Sequence, residues 1–177
     1  MNIVNAFLVF LFTFFANDSI ENESSYRLTL KALDHSGNNH SIVFGLDPAA
    51  TYGYDKSLGE APIPPSPPLG IFDFRFKDIP GKRRIPSEGT YTDIREATSK
   101  AQCDTFIVYC QASNNSYPMT ITLEGNATQW CDSIIVETTL KDIGYRVDLV
   151  KKKQLIVYSE DQSTQKIFVY SKPQTKN

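Results

Sequence analysis

The sequence predicts an all-β protein: a single antiparallel β-sandwich, immunoglobulin-like or jelly-roll-like, with a long proline-rich strap. Three observations predict this fold. From Tyr26 onward, apolar and polar residues alternate with a period of two, which is typical of half-buried strands. Turn-forming residues interrupt the alternation at short intervals, and no long stretch keeps a helical period. A hydrophobic content of 41% in 177 residues is enough to bury a core.

The first part of the predicted domain contains a hairpin and the strap. Apolar residues alternate with polar ones over residues 26–32, a turn follows at residues 34–39, and a second strand begins at Ile42. Residues 47–70 come next, with five prolines within residues 62–68. Because proline has no N–H to give to a sheet, this segment is predicted to be a polyproline-like strap and not a strand.

The later part of the domain is predicted to consist of short strands. The clearest hairpin pairs residues 104–112 with residues 117–123 around a polar turn at residues 113–116. Further strands are predicted at residues 71–76, 90–95, 133–139, 145–150, 154–159 and 165–171. The sandwich domain is therefore expected to span residues 26–172, followed by a short tail at residues 173–177.

The N-terminus carries an apolar run typical of a secretory signal peptide. Residues 3–15 are almost all apolar, and polar residues follow directly after Ala16. A run of this length is short for a transmembrane helix, so we expect a signal peptide at residues 1–16 and a polar arm at residues 17–25. A first core strand and an uncleaved anchor are the alternatives. The mature chain is then expected to have no transmembrane segment. It would be exported to the extracellular space or the outer cell surface, with the periplasm as the other compartment considered.

Three cysteines follow the apolar run, and in an exported protein this number allows one internal bridge and one leftover thiol. Cys110 shares the apolar face of its predicted strand with Phe106 and Val108, so it is expected to be a buried free thiol. Cys103 lies at the end of the predicted hairpin from which the chain continues to Cys131. A Cys103–Cys131 disulfide is therefore expected, worth about 3 kcal/mol in the chain-entropy model.

Several short motifs in a fixed order resemble those of a known protein family. They are FGLDPAATYGYD at residues 44–55, LGE at 58–60, IFDFRF at 71–76, TDIR at 92–95 and YPMTITL at 117–123. Together they resemble a β-sandwich module of secreted and surface proteins of the Bacteroidota–Chlorobi group, which often precedes the sorting domain of type IX secretion substrates. The resemblance implies an accessory or structural role at a cell surface and no particular chemistry. Tyr52 stands where the family commonly has an acidic residue.

Two sets of residues are candidates for ligand binding. Asp47, Asp55 and Glu60 lie in one glycine-containing loop, and their carboxylates could bind Ca²⁺, although the same residues are typical of turns. Trp130, Tyr52 and Tyr54 could form an aromatic platform for a sugar ring, although a lone tryptophan is more often packed against the domain. No cofactor is expected, with Ca²⁺ as the one ion considered. The basic clusters at residues 82–84 and 151–153 could contact an anionic polysaccharide or a lipid surface, but a solvated loop tip is the commoner structure.

Two acidic–basic pairs, Asp73 with Arg75 and Asp93 with Arg95, are predicted to lie on neighbouring strands and to form cross-strand ion pairs. An arginine beside each carboxylate is expected to keep it ionised, which does not suit a general acid. The sequence also contains no nucleophile elbow and no phosphate-binding glycine loop. The chain is therefore predicted not to be an enzyme.

The expected function is a structural, adhesion or assembly role outside the cell. A net charge of −2 gives no reason to expect a nucleic-acid partner. Sheet edges offer unpaired backbone groups, so the protein is expected to bind other surface proteins or copies of itself, and polymerisation through these edges is one form of that hypothesis. The alternative is an extracellular accessory module that binds carbohydrate, such as a polysaccharide, or Ca²⁺.

Overall fold

The computed structural model describes residues 25–51, 53–78, 88–138 and 144–173. The predicted signal peptide, Tyr52 and nearly all of the predicted arm lie outside the described residues. The described residues form two packed five-stranded sheets and only short helices, which confirms the predicted β-sandwich. None of the helices in these ranges has the length and apolar content needed to cross a membrane.

Ten strands and two single-turn α-helices, besides three short 3-10 turns, are present in these ranges. The strands are β1 (Tyr26–Leu33), β2 (Asn39–Asp47), β3 (Asp73–Lys77), β4 (Thr92–Glu96), β5 (Gln102–Gln111), β6 (Met119–Glu124), β7 (Cys131–Thr138), β8 (Arg146–Asp148), β9 (Gln154–Val157) and β10 (Thr164–Ser171). The helices are α1 (Ala127–Trp130) and α2 (Leu149–Lys152). Residues 61–68, which contain the five prolines, lie outside every helix and strand.

The first sheet has the strand order β4-β2-β1-β6-β9, and the second has the order β3-β5-β10-β7-β8. The predicted hairpin of β1 and β2 is confirmed, with Leu30 opposite Ile42 in an antiparallel register. Every strand pair of the two sheets is antiparallel except β2 and β4, which run parallel. A parallel pair requires a long connection, and the chain between β2 and β4 includes the whole of β3.

The predicted hairpin of β5 and β6 is wrong, because these strands lie in different sheets. β5 pairs with β3 and β10, whereas β6 pairs with β1 and β9. The polar residues between them form a crossover that is tied to the turn after β1. The Asp34 carboxylate accepts hydrogen bonds from the backbone N–H of Ser113 at 3.0 Å and from its hydroxyl at 2.7 Å. A turn-like sequence thus carries the chain from the second sheet to the first.

The core lies between the two sheets and is built from the residues whose side chains alternate inward. Three phenylalanines form its centre: Phe44 from the first sheet and Phe76 and Phe106 from the second, each at most 1% exposed. Their ring centroids are 5.4 to 6.4 Å apart, in edge-to-face or tilted arrangements that suit aromatic quadrupoles. This cluster joins the two inner faces of the sandwich.

The sandwich is closed by main-chain hydrogen bonds along the side formed by β3, β2 and β4. Phe76 and Thr90 exchange two backbone hydrogen bonds, with N···O distances of 2.9 and 3.1 Å. The carbonyl of the next residue, Tyr91, accepts from the N–H of Val43 on β2 at 2.9 Å. Backbone bonding therefore passes from one sheet to the other, and we call this the closed side.

The opposite side of the sandwich is formed by β8 and β9, the last strands of the two sheets. Within the described ranges, β8 pairs only with β7 and β9 pairs only with β6. The short helix α2 carries the chain from one strand to the other. We call this the open side, because no strand pairing joins the two sheets here in the part of the chain that the structure describes.

Gly45, in the middle of β2, allows a close approach between the first two strands. A β-carbon at this position would collide with the backbone carbonyl oxygen of Tyr26, the first residue of β1. Because the obstacle is the backbone of β1 and not a side chain, a larger residue cannot be accommodated by a change of rotamer. The register of the central hairpin therefore depends on glycine here.

Replacing Gly45 with alanine is expected to lower the free energy of unfolding by more than about 2 kcal/mol, because β1 and β2 must separate to admit the methyl group. Urea unfolding followed by fluorescence measures this. The matched control is Gly144→Ala, since a β-carbon at Gly144 meets nothing within 4 Å. The control is expected to change stability by at most about 1 kcal/mol. Equal losses for the two variants would contradict the packing at Gly45.

Candidate functional site

A groove on the open side is the candidate functional site. It encloses about 310 Å³ between the ends of the two sheets, at the lower end of the range of small-ligand pockets, about 300–1,000 Å³. Its lining residues come from β8 and its N-terminal flank (Tyr145, Val147), from α2 (Lys152) and from β9 and its C-terminal flank (Gln154, Leu155, Ile156, Tyr158). We use the name groove for the space bounded by these side chains.

Tyr145 spans the open side and holds the groove in shape. Its hydroxyl donates a hydrogen bond of 3.1 Å to the backbone carbonyl of Ile156 on β9. Burial raises the pKa of the Tyr145 hydroxyl to about 12, so it remains a protonated donor at neutral pH. The aromatic ring is therefore fixed against β9, the edge strand of the first sheet, where a further strand would otherwise pair.

Tyr158 presents its ring to solvent at the end of β9. The residue is 66% exposed, which is unusual for a large aromatic side chain in a folded domain. Its backbone is nevertheless fixed, because its N–H donates to the side-chain carbonyl of the buried Gln162 at 2.8 Å. Because the backbone is already ordered here, a ligand that packs against the ring does not have to order the chain as well.

The lysines at the tip of the open side are not equivalent. The Nζ of Lys151 lies 3.4 Å from the carboxylate of Asp148, which also accepts from the backbone N–H of Val150 at the start of α2. Lys152 is exposed and lines the groove, and no carboxylate in the described ranges forms an ion pair with it. Lys152 is therefore the positive charge that the groove offers to a ligand.

The three carboxylates considered as Ca²⁺ ligands accept hydrogen bonds from other groups of the loop that follows β2. Asp47 accepts from the N–H of Ala49 at 2.9 Å, and Asp55 accepts from the hydroxyl of Thr51 at 2.9 Å. Glu60, 1% exposed, accepts from the N–H of Asp55 at 2.8 Å. No group of three or more histidine, cysteine, aspartate or glutamate side chains is placed to hold a metal ion within the described residues. The turn interpretation of these carboxylates therefore agrees with their hydrogen bonds.

Glu60 has a second function at the edge of the first sheet. Its other carboxylate oxygen accepts from the N–H of Ile94 on β4 at 2.7 Å. Among the described residues, β4 pairs only with β2, so this bond occupies a backbone donor that the outer edge would otherwise present to solvent.

The predicted sugar platform is tied into the fold where the structure describes it. Trp130 is half-buried and stacks on Tyr26, with ring centroids 5.7 Å apart and an interplanar angle of 13°. One face of its ring is therefore already covered. The Tyr54 hydroxyl donates to the carbonyl of Gly89 at 3.4 Å. Tyr52 lies outside the described residues.

The predicted Cys103–Cys131 disulfide is wrong, and the structure has all three cysteines as free thiols. Cys103 on β5 lies opposite Tyr170, and Cys131 on β7 lies opposite Ser171, so β10 separates them. Two inter-strand spacings amount to about 9.5 Å, beyond the reach of about 7 Å for a disulfide. The error follows from the wrong hairpin of β5 and β6. The buried free thiol of Cys110 is confirmed, and burial raises its pKa to about 12.

Thiol labelling tests this arrangement. In the native protein, iodoacetamide is expected to modify Cys103, which is exposed, and to spare the buried Cys110 and Cys131. Unfolding in guanidinium without a reductant is expected to make all three thiols reactive, as counted by intact-mass spectrometry. The variant Cys103→Ser, as a control, should lose the native label. A single reactive thiol in the unfolded chain would reveal a bridge and contradict the structure.

The two acidic–basic pairs form within strands, not between them. β3 and β4 lie in different sheets, so the predicted cross-strand pairing is wrong. On β3, the Nε of Arg75 donates to Asp73 at 2.9 Å, and on β4 the guanidinium of Arg95 binds both oxygens of Asp93, at 2.7 and 2.9 Å. Residues two apart share a face of a strand, which brings each pair together. Burial outweighs Arg75 and raises the pKa of Asp73, opposite to the predicted direction.

Asp104 is another carboxylate whose environment disfavours charge. Burial raises its pKa, although Gln102 donates a hydrogen bond of 2.7 Å to it. A carboxyl group whose pKa is higher in the folded than in the unfolded state stabilises the fold fully at pH values below the unfolded pKa, about 3.9. That stability is lost as the pH rises through the higher folded value.

The variant Asp104→Asn is therefore expected to gain stability relative to the wild type at pH 7, and the gain should disappear at pH 3, where Asp104 is protonated. Chemical unfolding at both pH values measures the difference. Asp132→Asn, which removes the same charge at an exposed position on β7, is the matched control for an effect of net charge alone. A gain that is the same at pH 3 and pH 7 would contradict the electrostatic explanation.

The chain matches no protein-family model, no curated protein and no solved structure. The sequence predicts Tyr145 and Tyr158 only as members of strands, and it predicts the lysines at residues 151–153 either as a contact for an anionic surface or as a solvated loop tip.

Proposed function

We propose that this protein is a non-catalytic, exported β-sandwich module that adheres to a component of an outer cell surface through the groove. The observation that carries this proposal is Tyr158, a large aromatic side chain that is 66% exposed at a concave, mainly apolar site. Exposed aromatic residues beside an apolar pocket are typical of binding surfaces, since burying them on a ligand releases water from apolar area.

The environment of the reactive side chains supports a binding function over catalysis. Burial raises the pKa of the thiols of Cys110 and Cys131, and a neutral thiol is a weak nucleophile. The carboxylate of Asp93 is bound on both oxygens by Arg95, and Glu60 is bound by two backbone N–H groups. These groups stabilise the fold and are not directed toward the groove.

Export is supported by the sequence of the N-terminus. The apolar run at residues 3–15 and the polar residues after Ala16 are typical of a signal peptide. In this proposal the secreted form begins at residue 17 and acts outside the cell or at its outer surface, with the periplasm as the alternative compartment.

A second candidate function is self-assembly through strand edges, which is supported by the one-sided pairing of β8 and β9. Two observations make this candidate the weaker one. The outward carbonyl of Ile156 on β9 is bound by the Tyr145 hydroxyl, and the N–H of Ile94 on β4 is bound by Glu60. A strand added at either edge would have to displace these bonds.

Replacing Tyr158 with alanine is expected to weaken adhesion of the secreted form to whole cells of the producing organism about fivefold or more, because the exposed ring is the main contact. Flow cytometry with the fluorescently labelled protein measures this. Tyr170→Ala is the matched control, since Tyr170 is also exposed, at 38%, but lies on β10 outside the groove. Undiminished adhesion of Tyr158→Ala would overturn the proposed function.

Light scattering on the same samples separates the two candidate functions. A monomer over the whole concentration series, with adhesion that depends on Tyr158, supports the adhesion module and excludes self-assembly. Growth into large assemblies that persists in Tyr158→Ala would instead favour assembly through the strand edges.

A further inference from the structure

We propose that the groove binds an acidic sugar residue of a polysaccharide, stacked on Tyr158 and paired through its carboxylate with Lys152. This inference rests on the proposed adhesive function and names the ligand class of the same site. It is carried by three features of the groove: its size and apolar floor, the two tyrosines, and the placement of charge.

The size and lining of the groove suit one or two sugar rings. Its volume of about 310 Å³ is small for a cofactor or a folded partner. Leu155, which is buried, and Val147, which is half-buried, supply an apolar floor. A pyranose ring has an apolar face of C–H groups and a rim of hydroxyls, so an apolar floor with polar groups at the rim matches its two kinds of surface.

The two tyrosines serve different functions in this site. Tyr158 is exposed and its backbone is held by Gln162, so its ring is available to stack on the apolar face of a sugar. Tyr145 also lines the groove, and the hydrogen bond from its hydroxyl to Ile156 fixes its ring. Because the Tyr145 ring and the Tyr158 backbone are held before a ligand arrives, the entropic cost of binding is lowered.

The charge at the groove selects an acidic ligand. Lys152 lines the groove and has no ion-pair partner among the described residues, whereas the neighbouring Lys151 is paired with Asp148. Gln154, exposed at the rim, carries an amide that can donate to and accept from sugar hydroxyls. A carboxylate on the sugar would complete the pair with Lys152, and a neutral sugar would leave it unused.

The hydrogen bonds at this edge favour a saccharide over an added strand. Strand addition needs the outward backbone groups of β9, and the Tyr145 hydroxyl already occupies the carbonyl of Ile156. A sugar that stacks on Tyr158 needs only side chains and leaves this bond intact. The same arrangement that blocks a strand therefore leaves room for a ring.

Isothermal titration calorimetry with oligogalacturonate and with a neutral maltooligosaccharide of matched length tests the inference. The secreted form is expected to bind the acidic chain and to bind the neutral chain at least about threefold more weakly, the difference that one exposed charge contact makes. Tyr158→Ala is expected to weaken binding of the acidic chain about fivefold. Lys152→Gln is expected to remove the preference for the acidic chain.

Two matched controls test whether the groove itself is responsible. Lys151→Gln removes the same charge one residue away, and Tyr170→Ala removes a tyrosine outside the groove, so neither should change the affinity. An equal effect of Lys151→Gln and Lys152→Gln would show that binding depends on the general surface charge and not on Lys152, which would overturn the inference. Equal binding of both oligosaccharides would also overturn it.

The failure of this inference can be told apart from the failure of the proposed function. If no saccharide binds, while adhesion to cells still falls in Tyr158→Ala, the acidic-sugar assignment is overturned and the adhesive function stands. If adhesion is also independent of Tyr158, both are overturned. In either case the thermal stability of each variant, measured in parallel, ensures that a loss of binding is not a loss of fold.

Discussion

The two backbone hydrogen bonds between Phe76 and Thr90, continued by the one from Val43 to Tyr91, are the constraint on which the rest of the structure depends. They join the two sheets along one side, so that the strands on that side cannot separate independently. The ends of the sheets at β8 and β9 have no equivalent join in the described residues. The groove forms there because the two sheets are joined along the closed side, so that a ligand can reach the space between them from the open side.

Much of the fold could be predicted from the sequence, since period-two alternation depends only on local geometry. Leu28, Leu30 and Ala32 are buried as the alternation requires, and the first hairpin forms where turn residues interrupt it. The pairing of the strands could not be predicted in this way, because alternation indicates which face of a strand is buried and not which strand lies beside it. The crossover after β5 depends on the contact of Asp34 with Ser113, 79 residues away, and no local pattern contains it.

The candidate site was harder to predict than the fold. The residues that the sequence suggests as ligands, such as Glu60 and Trp130, stabilise the fold instead. Glu60 accepts a hydrogen bond from a backbone N–H of β4, and Trp130 stacks on Tyr26. The groove combines ordinary tyrosines and a lysine from three successive elements, and its shape exists only once β8, α2 and β9 meet across the open side. The local indication was the run of lysines at residues 151–153, and Tyr158 follows five residues after it.

The hydrogen bond of 2.7 Å between the hydroxyls of Tyr26 and Ser171 has a topological consequence. Tyr26 begins β1 and Ser171 ends β10, so the domain starts and finishes at neighbouring points on the same end of the sandwich. Domains whose two ends lie side by side can be inserted into a loop of a host protein or circularly permuted with little disturbance. The positions of its two ends therefore suit this domain to insertion into a larger protein, with the groove still accessible to solvent.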